Sequence, residues 1–121
     1  MPTDFTLEER TAVFGENVLT LLKTIPLDDF TKPLISQLIR SATSVGANYC
    51  EANGASSKKD FRNKIHICKK EIQETKHWLR MLSVVVDDSK KKELRVLWQE
   101  AQELTLIFGK ITGTMSRKKS K

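Results

Sequence analysis

From Lys58 to Val86 the chain carries one unbroken heptad row: Phe61, Ile65, Cys68, Ile72, Thr75, Leu79, Leu82 and Val86 recur at alternating spacings of 4 and 3. That rhythm keeps one seam of a long helix turned toward partner helices. No Gly or Pro interrupts the row, and Thr75 is its weak member. At ~1.5 Å per residue the helix is about 43 Å long. A rod of that length needs companions, and three further segments supply them.

Thr6-Leu7-Glu8-Glu9 fits a capping box, in which Thr6 accepts from the N3 amide while Glu9 reaches back. The helix it opens is expected to run to about Thr24, burying Leu7, Phe14, Val18, Leu21 and Ile25, with Pro26 ending it. Thr31 is the expected cap of a second helix, with Pro33 tolerated in its first turn. Ile35, Leu38, Ala42, Val45, Tyr49 and Ala52 form its seam, and Ser36, Ser41, Ser44, Gly46 and Ala47 allow close approach of a neighbouring axis. Asn53-Gly54 is its expected stop, since both residues tolerate the left-handed conformation. Ser57, with Asp60 three residues on, caps the long third helix, and Asp87-Asp88-Ser89 closes it. The fourth helix is expected from near Lys90 to about Ile111, along Leu94, Leu97, Ala101, Leu104, Phe108 and Ile111.

Four helices joined by short connections predict an all-α, antiparallel, up-down-up-down four-helix bundle. Residues 1–116 are read as that one domain, and residues 117–121 as a basic disordered tail. No apolar run approaches the ~18–20 residues of a membrane span, and the first residues lack the basic and apolar regions of a signal peptide. The expectation is a cytoplasmic protein with no membrane partner. Cys50 and Cys68 both fall inside helices, and a disulfide between them is disfavoured in a reducing compartment.

The net charge of +6 is unevenly spread: residues 1–57 carry 4 basic and 7 acidic groups, residues 58–80 carry 8 and 3. Lys58, Arg62, Lys69, Lys76 and Arg80 fall within about 40° of one another in helical projection, with Lys59 nearby at the helix start. Two readings stand for this stripe. One is a solvated edge whose stems cover the apolar seam. The other is a rail for the phosphates of RNA or DNA. No aromatic residue interleaves with the stripe, so base stacking on it is not indicated.

A second stripe, Arg40, Ser44, Asn48 and Glu51, lies roughly 135° around the second helix from its seam. It reads either as a solvated face or as a polar layer meeting another helix or subunit. Catalysis finds little support. Glu74-Thr-Lys-His77 matches the Glu-x-x-His spacing of a di-iron bundle once, but the fourth helix has no histidine to complete it. No catalytic residue, metal site or cofactor is therefore assigned. Trp78 and Trp98 sit beside their seams, where either a wide core face absorbs them or another subunit buries them; self-association is favoured over a monomer.

The run from Leu38 to Glu51, with Ser57-Lys-Lys-Asp-Phe61, Lys70-Glu-Ile-Gln-Glu-Thr-Lys-His-Trp-Leu79 and Glu100-Ala-Gln-Glu-Leu104, resembles the bacterial four-helix-bundle family of 23S rRNA intervening-sequence proteins. On that resemblance Arg40, Ser44, Asn48, Glu51, Glu74, Glu100 and Glu103 fall on signature positions and form an interhelical or intersubunit network. The resemblance also implies a ring-like homopentamer without enzymatic activity. The accessory variability proteins of diversity-generating retroelements look similar, and they imply a reverse transcriptase and nucleic acid as alternative partners. Lys69 and Lys76 depart from the less charged residues expected there.

Overall fold

The computed structural model describes residues 6–119, with side chains through Met115. Four helices account for nearly all of it: α1 (Leu7–Leu22), α2 (Thr31–Asn53), α3 (Lys58–Val85) and α4 (Asp88–Lys119). No strand occurs among the described residues.

The heptad row of α3 forms the centre of the core. Ile65, Cys68, Ile72, Thr75, Leu79 and Leu82 are buried, while Phe61 and Val86 pack against the core from its two ends. The seam of α2 faces it with Leu38, Ala42 and Val45; α1 contributes Phe14 and Val18, and α4 contributes Leu94, Leu104 and Phe108. The weak member, Thr75, is accommodated because its hydroxyl meets the Glu71 carbonyl at 2.8 Å and the Ser41 hydroxyl at 3.0 Å. A buried hydroxyl with partners carries little of the cost of an orphaned one.

α3 packs most extensively, against α2 on one side and α4 on the other; α1 rests mainly on α2 and meets α4 sparsely. The α1–α2 crossing is tight because two glycines lie in it. A Cβ on Gly15 would stand 3.6 Å from the Ala42 carbonyl oxygen, and one on Gly46 would stand 3.5 Å from the Thr11 carbonyl. A methyl group would sit there in ordinary van der Waals contact with the facing backbone. Facing pairs run Thr11 with Gly46 and Gly15 with Ala42, then Ser41 with Thr75 and Ser44 with Glu71, so numbers fall along one helix as they rise along the next.

The helix ends correct several sequence expectations. Thr6 does accept from the Glu9 amide at 3.1 Å, and Ser57 from the Asp60 amide at 3.0 Å. Thr31, however, is not the cap of α2. Asp28 performs that task, its Oδ1 accepting from the Phe30 and Thr31 amides at 2.8 and 2.7 Å. The Thr31 hydroxyl instead closes the loop, accepting from the Asp28 amide and donating to the Pro26 carbonyl, both at 2.9 Å. Gly54 does end α2, but at φ −96° and ψ 11°, so no left-handed residue is used.

Asp88 and Ser89, read as part of a closing loop, are the first residues of α4, leaving Val86 and Asp87 as the whole connection. α4 also does not stop at Ile111. Gly113 lies inside it, and a helical glycine costs only about 1 kcal/mol relative to alanine, too little to end a helix already under way. Residues 117–119, read as the start of a tail, continue the helix, and residues 120–121 lie outside the described residues.

Candidate functional site

Two arginines each hold a pair of carboxylates spaced i, i+3 on another helix. Arg40 of α2 donates through Nη1 to Glu71 at 3.1 Å and through Nη2 to Glu74. The Ser44 hydroxyl donates to the same Glu71 oxygen, and the Trp78 indole donates to Glu74 at 3.2 Å. Arg10 of α1 grips Glu100 of α4 with a two-pronged contact, Nε to Oε2 and Nη2 to Oε1, both at 2.8 Å, and reaches Glu103 at 3.3 Å. The hydrogen bond to Glu100 raises the already high Arg10 pKa further, so this charge is permanent.

The signature residues thus divide among separate contacts. Arg40, Ser44 and Glu74 share the α2–α3 cluster; Asn48 joins it only by donating to the Ser44 carbonyl at 2.8 Å. Glu51 pairs with Lys64 at 3.1 Å, and Glu100 with Glu103 takes Arg10. Sequence reasoning missed Arg10 and Glu71 as members. A signal for both existed: each sits next to a seam position, Arg10 between Leu7 and Phe14, and Glu71 between Cys68 and Ile72. A charged group so placed must find a partner across the helix interface.

The other residues considered for chemistry are Glu74, His77 and the two cysteines. Glu74 is held by Arg40 and Trp78, while His77 lies edge-on to Trp78 with centroids 4.9 Å apart. Among the described residues no group of three or more His, Cys, Asp or Glu is placed to hold a metal ion. Burial pushes the Cys68 thiol up to about 12, which keeps it protonated and inert, and Cys50 is exposed and unpaired with it. No helix among the described residues is long and apolar enough to cross a membrane.

The basic edge of α3 is different in kind. Lys58, Lys59 and Arg80 are exposed, and Arg62 and Lys69 half-buried; none of these five has a carboxylate partner among the described residues. Lys76 is tied to α4, donating to Gln102 at 2.7 Å with its Nζ 5.4 Å from the centre of the Trp98 ring. A cleft lies at each end of the edge. One of about 780 Å³ is lined by Lys58, Phe61, Arg62 and Met115. The other, of about 380 Å³, lies between α3 and α4 beside Arg80, Arg95 and Trp98. The first cleft takes its aromatic residue, Phe61, from α3 itself, and the second takes Trp98 from α4.

The model of the 23S rRNA-intervening sequence protein family matches residues 4–110 of this chain. The chain belongs to that family. Among solved structures, this family member is similar to a protein of unknown function from the S23 ribosomal protein family of Bacteroides thetaiotaomicron, at 26% identity and a TM-score of 0.74. The match covers 88% of this chain and 98% of the other. No curated protein matches the chain. The family match spans both arginine clamps and the whole basic edge of α3.

Proposed function

We propose that this intervening-sequence family member works without catalysing a reaction, binding structured RNA, free or in a ribonucleoprotein, along the basic edge of α3. The observation that carries the reading is the row Lys58, Lys59, Arg62, Lys69 and Arg80, charged and without carboxylate partners among the described residues. Elsewhere the interhelical cations Arg10, Arg40 and Lys64 are each neutralised by glutamate. The row from Lys58 to Arg80 extends about 33 Å along α3, and cations set along one edge offer repeated partners to the anionic phosphates of a nucleic-acid backbone.

The subunit is an antiparallel, up-down-up-down bundle, a reading supported by the opposed numbering of facing residues. It assembles in the cytoplasm as the homopentamer that the family resemblance implies. Trp78 and Trp98 pack against the chain's own core, so support for assembly comes instead from Val96 and Leu106 of α4, each 62% exposed.

The test is a fluorescence-anisotropy titration of a labelled RNA hairpin across salt concentrations, with light scattering for subunit number. Binding is expected to weaken steeply as salt rises, and the Lys58→Glu/Arg62→Glu variant is expected to flatten that slope. Absence of binding at low salt overturns the reading. A protein partner such as a reverse transcriptase is the second reading, favoured by Leu27 and Phe30, 65% and 70% exposed in the α1–α2 connection. A complex that survives both nuclease and high salt supports it.

A further inference from the structure

We propose that the cleft between the last turns of α3 and the first three turns of α4 receives one unpaired nucleotide of a bound RNA, its base against Trp98 and its phosphate on Arg80 and Arg95. The inference rests on the RNA reading above and gives it a site that distinguishes paired from unpaired strands.

The cleft has the parts that such a ligand needs. Leu79 and Leu94, both buried, form its floor, and the half-buried Trp98 forms a wall. Arg80 and Arg95 are exposed on its rim, with no carboxylate partner among the described residues. No Asp or Glu lines it. Its volume of about 380 Å³ lies within the ~300–1,000 Å³ of small-ligand sites. An apolar floor with an aromatic wall and two guanidinium groups suits a flat, anionic ligand; a peptide carboxylate would leave the indole without a stacking partner.

The contrast between the two tryptophans sharpens the assignment. Trp78 has its indole N–H on Glu74 and its ring against His77. The Trp98 indole N–H meets no acceptor among the described residues, and no side-chain polar atom there is both buried and unpartnered, so this donor is reachable from outside. Lys76, anchored on Gln102, holds its ammonium over the Trp98 ring and helps to fix the plane on which a base would stack. Stacking of one base on an aromatic side chain is tolerant of sequence. The site therefore reads whether a nucleotide is unpaired, not which base it carries.

The experiment compares two labelled RNA hairpins by anisotropy at one salt concentration, one blunt and one with a short 3′ single-stranded extension. The wild-type chain is expected to bind the extended hairpin about tenfold more tightly. Trp98→Leu is expected to abolish that preference and leave affinity for the blunt hairpin unchanged. Arg95→Glu, at an exposed position with no ion-pair partner among the described residues, is expected to reduce the same ratio and carries the test if Trp98→Leu does not fold. Equal affinity of the wild type for both hairpins, or a preference that survives both substitutions, overturns the cleft while the phosphate rail stands. Failure to bind either hairpin at low salt overturns the rail and the cleft together.

Discussion

The two arginine clamps look alike in outline and differ in where they are set. Arg40 holds Glu71 and Glu74 across the extensive α2–α3 interface; Arg10 holds Glu100 and Glu103 across the sparse α1–α4 one. The Glu71 side chain is only 11% exposed and takes a second donor from Ser44. Glu100 and Glu103 are 30% and 63% exposed. Arg10 has the better geometry, a two-pronged grip at 2.8 Å, yet its carboxylates retain water as an alternative partner. The energetic weight of an ion pair follows what happens to each charge when the other is removed, more than the quality of the contact. The α2–α3 clamp therefore governs stability, and the α1–α4 clamp chiefly positions α1.

The comparison is broken most directly at Arg40. Arg40→Met leaves the Glu71 carboxylate, only 11% exposed, with the Ser44 hydroxyl as its remaining donor among the described residues. The expected loss is about 2–3 kcal/mol, below the full buried-pair value because Arg40 itself is half exposed. In thermal melts that is a fall of roughly 10 °C for a chain of this size. Adding Glu71→Gln to Arg40→Met removes the stranded charge and is expected to recover most of the loss. A double variant no more stable than the single one would show that the contact itself, and not the buried charge, matters.

The same distinction explains what the sequence made legible. Periodicity exposed the four helices and most of their buried faces, because Phe61 to Val86 and the seams of α2 and α4 are patterns within single elements. The Ser57 and Thr6 caps were legible for the same reason, being local motifs. What was missed crosses between elements. Glu71 and Arg10 acquire their meaning only when a second helix brings the opposite charge, and Trp98 meets Lys76 only because α4 returns beside α3. The Asp28–Thr31 exchange was misread because both residues are good caps, and the chain uses one for the helix and the other for the loop. The seam of α4 ends at Ile111, so periodicity gives no sign of the further turns that run through Gly113.

Removing the second clamp is expected to matter far less. Arg10→Ala should lower stability by about 1 kcal/mol, the upper end for pairs that keep access to water, because the two-pronged Glu100 contact is part-covered while Glu103 is exposed, and by less as salt rises. Denaturation at low and high ionic strength checks this, with Arg40→Met measured alongside. A loss at Arg10 equal to that at Arg40 and insensitive to salt would mean that α1–α4 is as sealed as α2–α3.

The smallest expected effect concerns pH and lies in the loop that returns α1 to α2. Amide donation from Thr31 and then Phe30 holds the Asp28 carboxyl below its usual value in the folded chain. A carboxyl whose folded pKa is depressed contributes its stabilisation above the unfolded pKa and loses it as pH falls through the folded one. Wild type and Asp28→Ala should therefore differ by a constant amount near neutrality and draw together as the solution is acidified below the ordinary carboxylate range. Because Asp28 is at the surface, this change should be small beside that at Arg40, and it should add to that of Arg10→Ala, since the two sites share no partner. Unfolding curves of the single and double variants at neutral and acid pH read both points. A gap that stays constant into acid would mean that the loop is held by the Thr31 hydroxyl and not by the carboxylate.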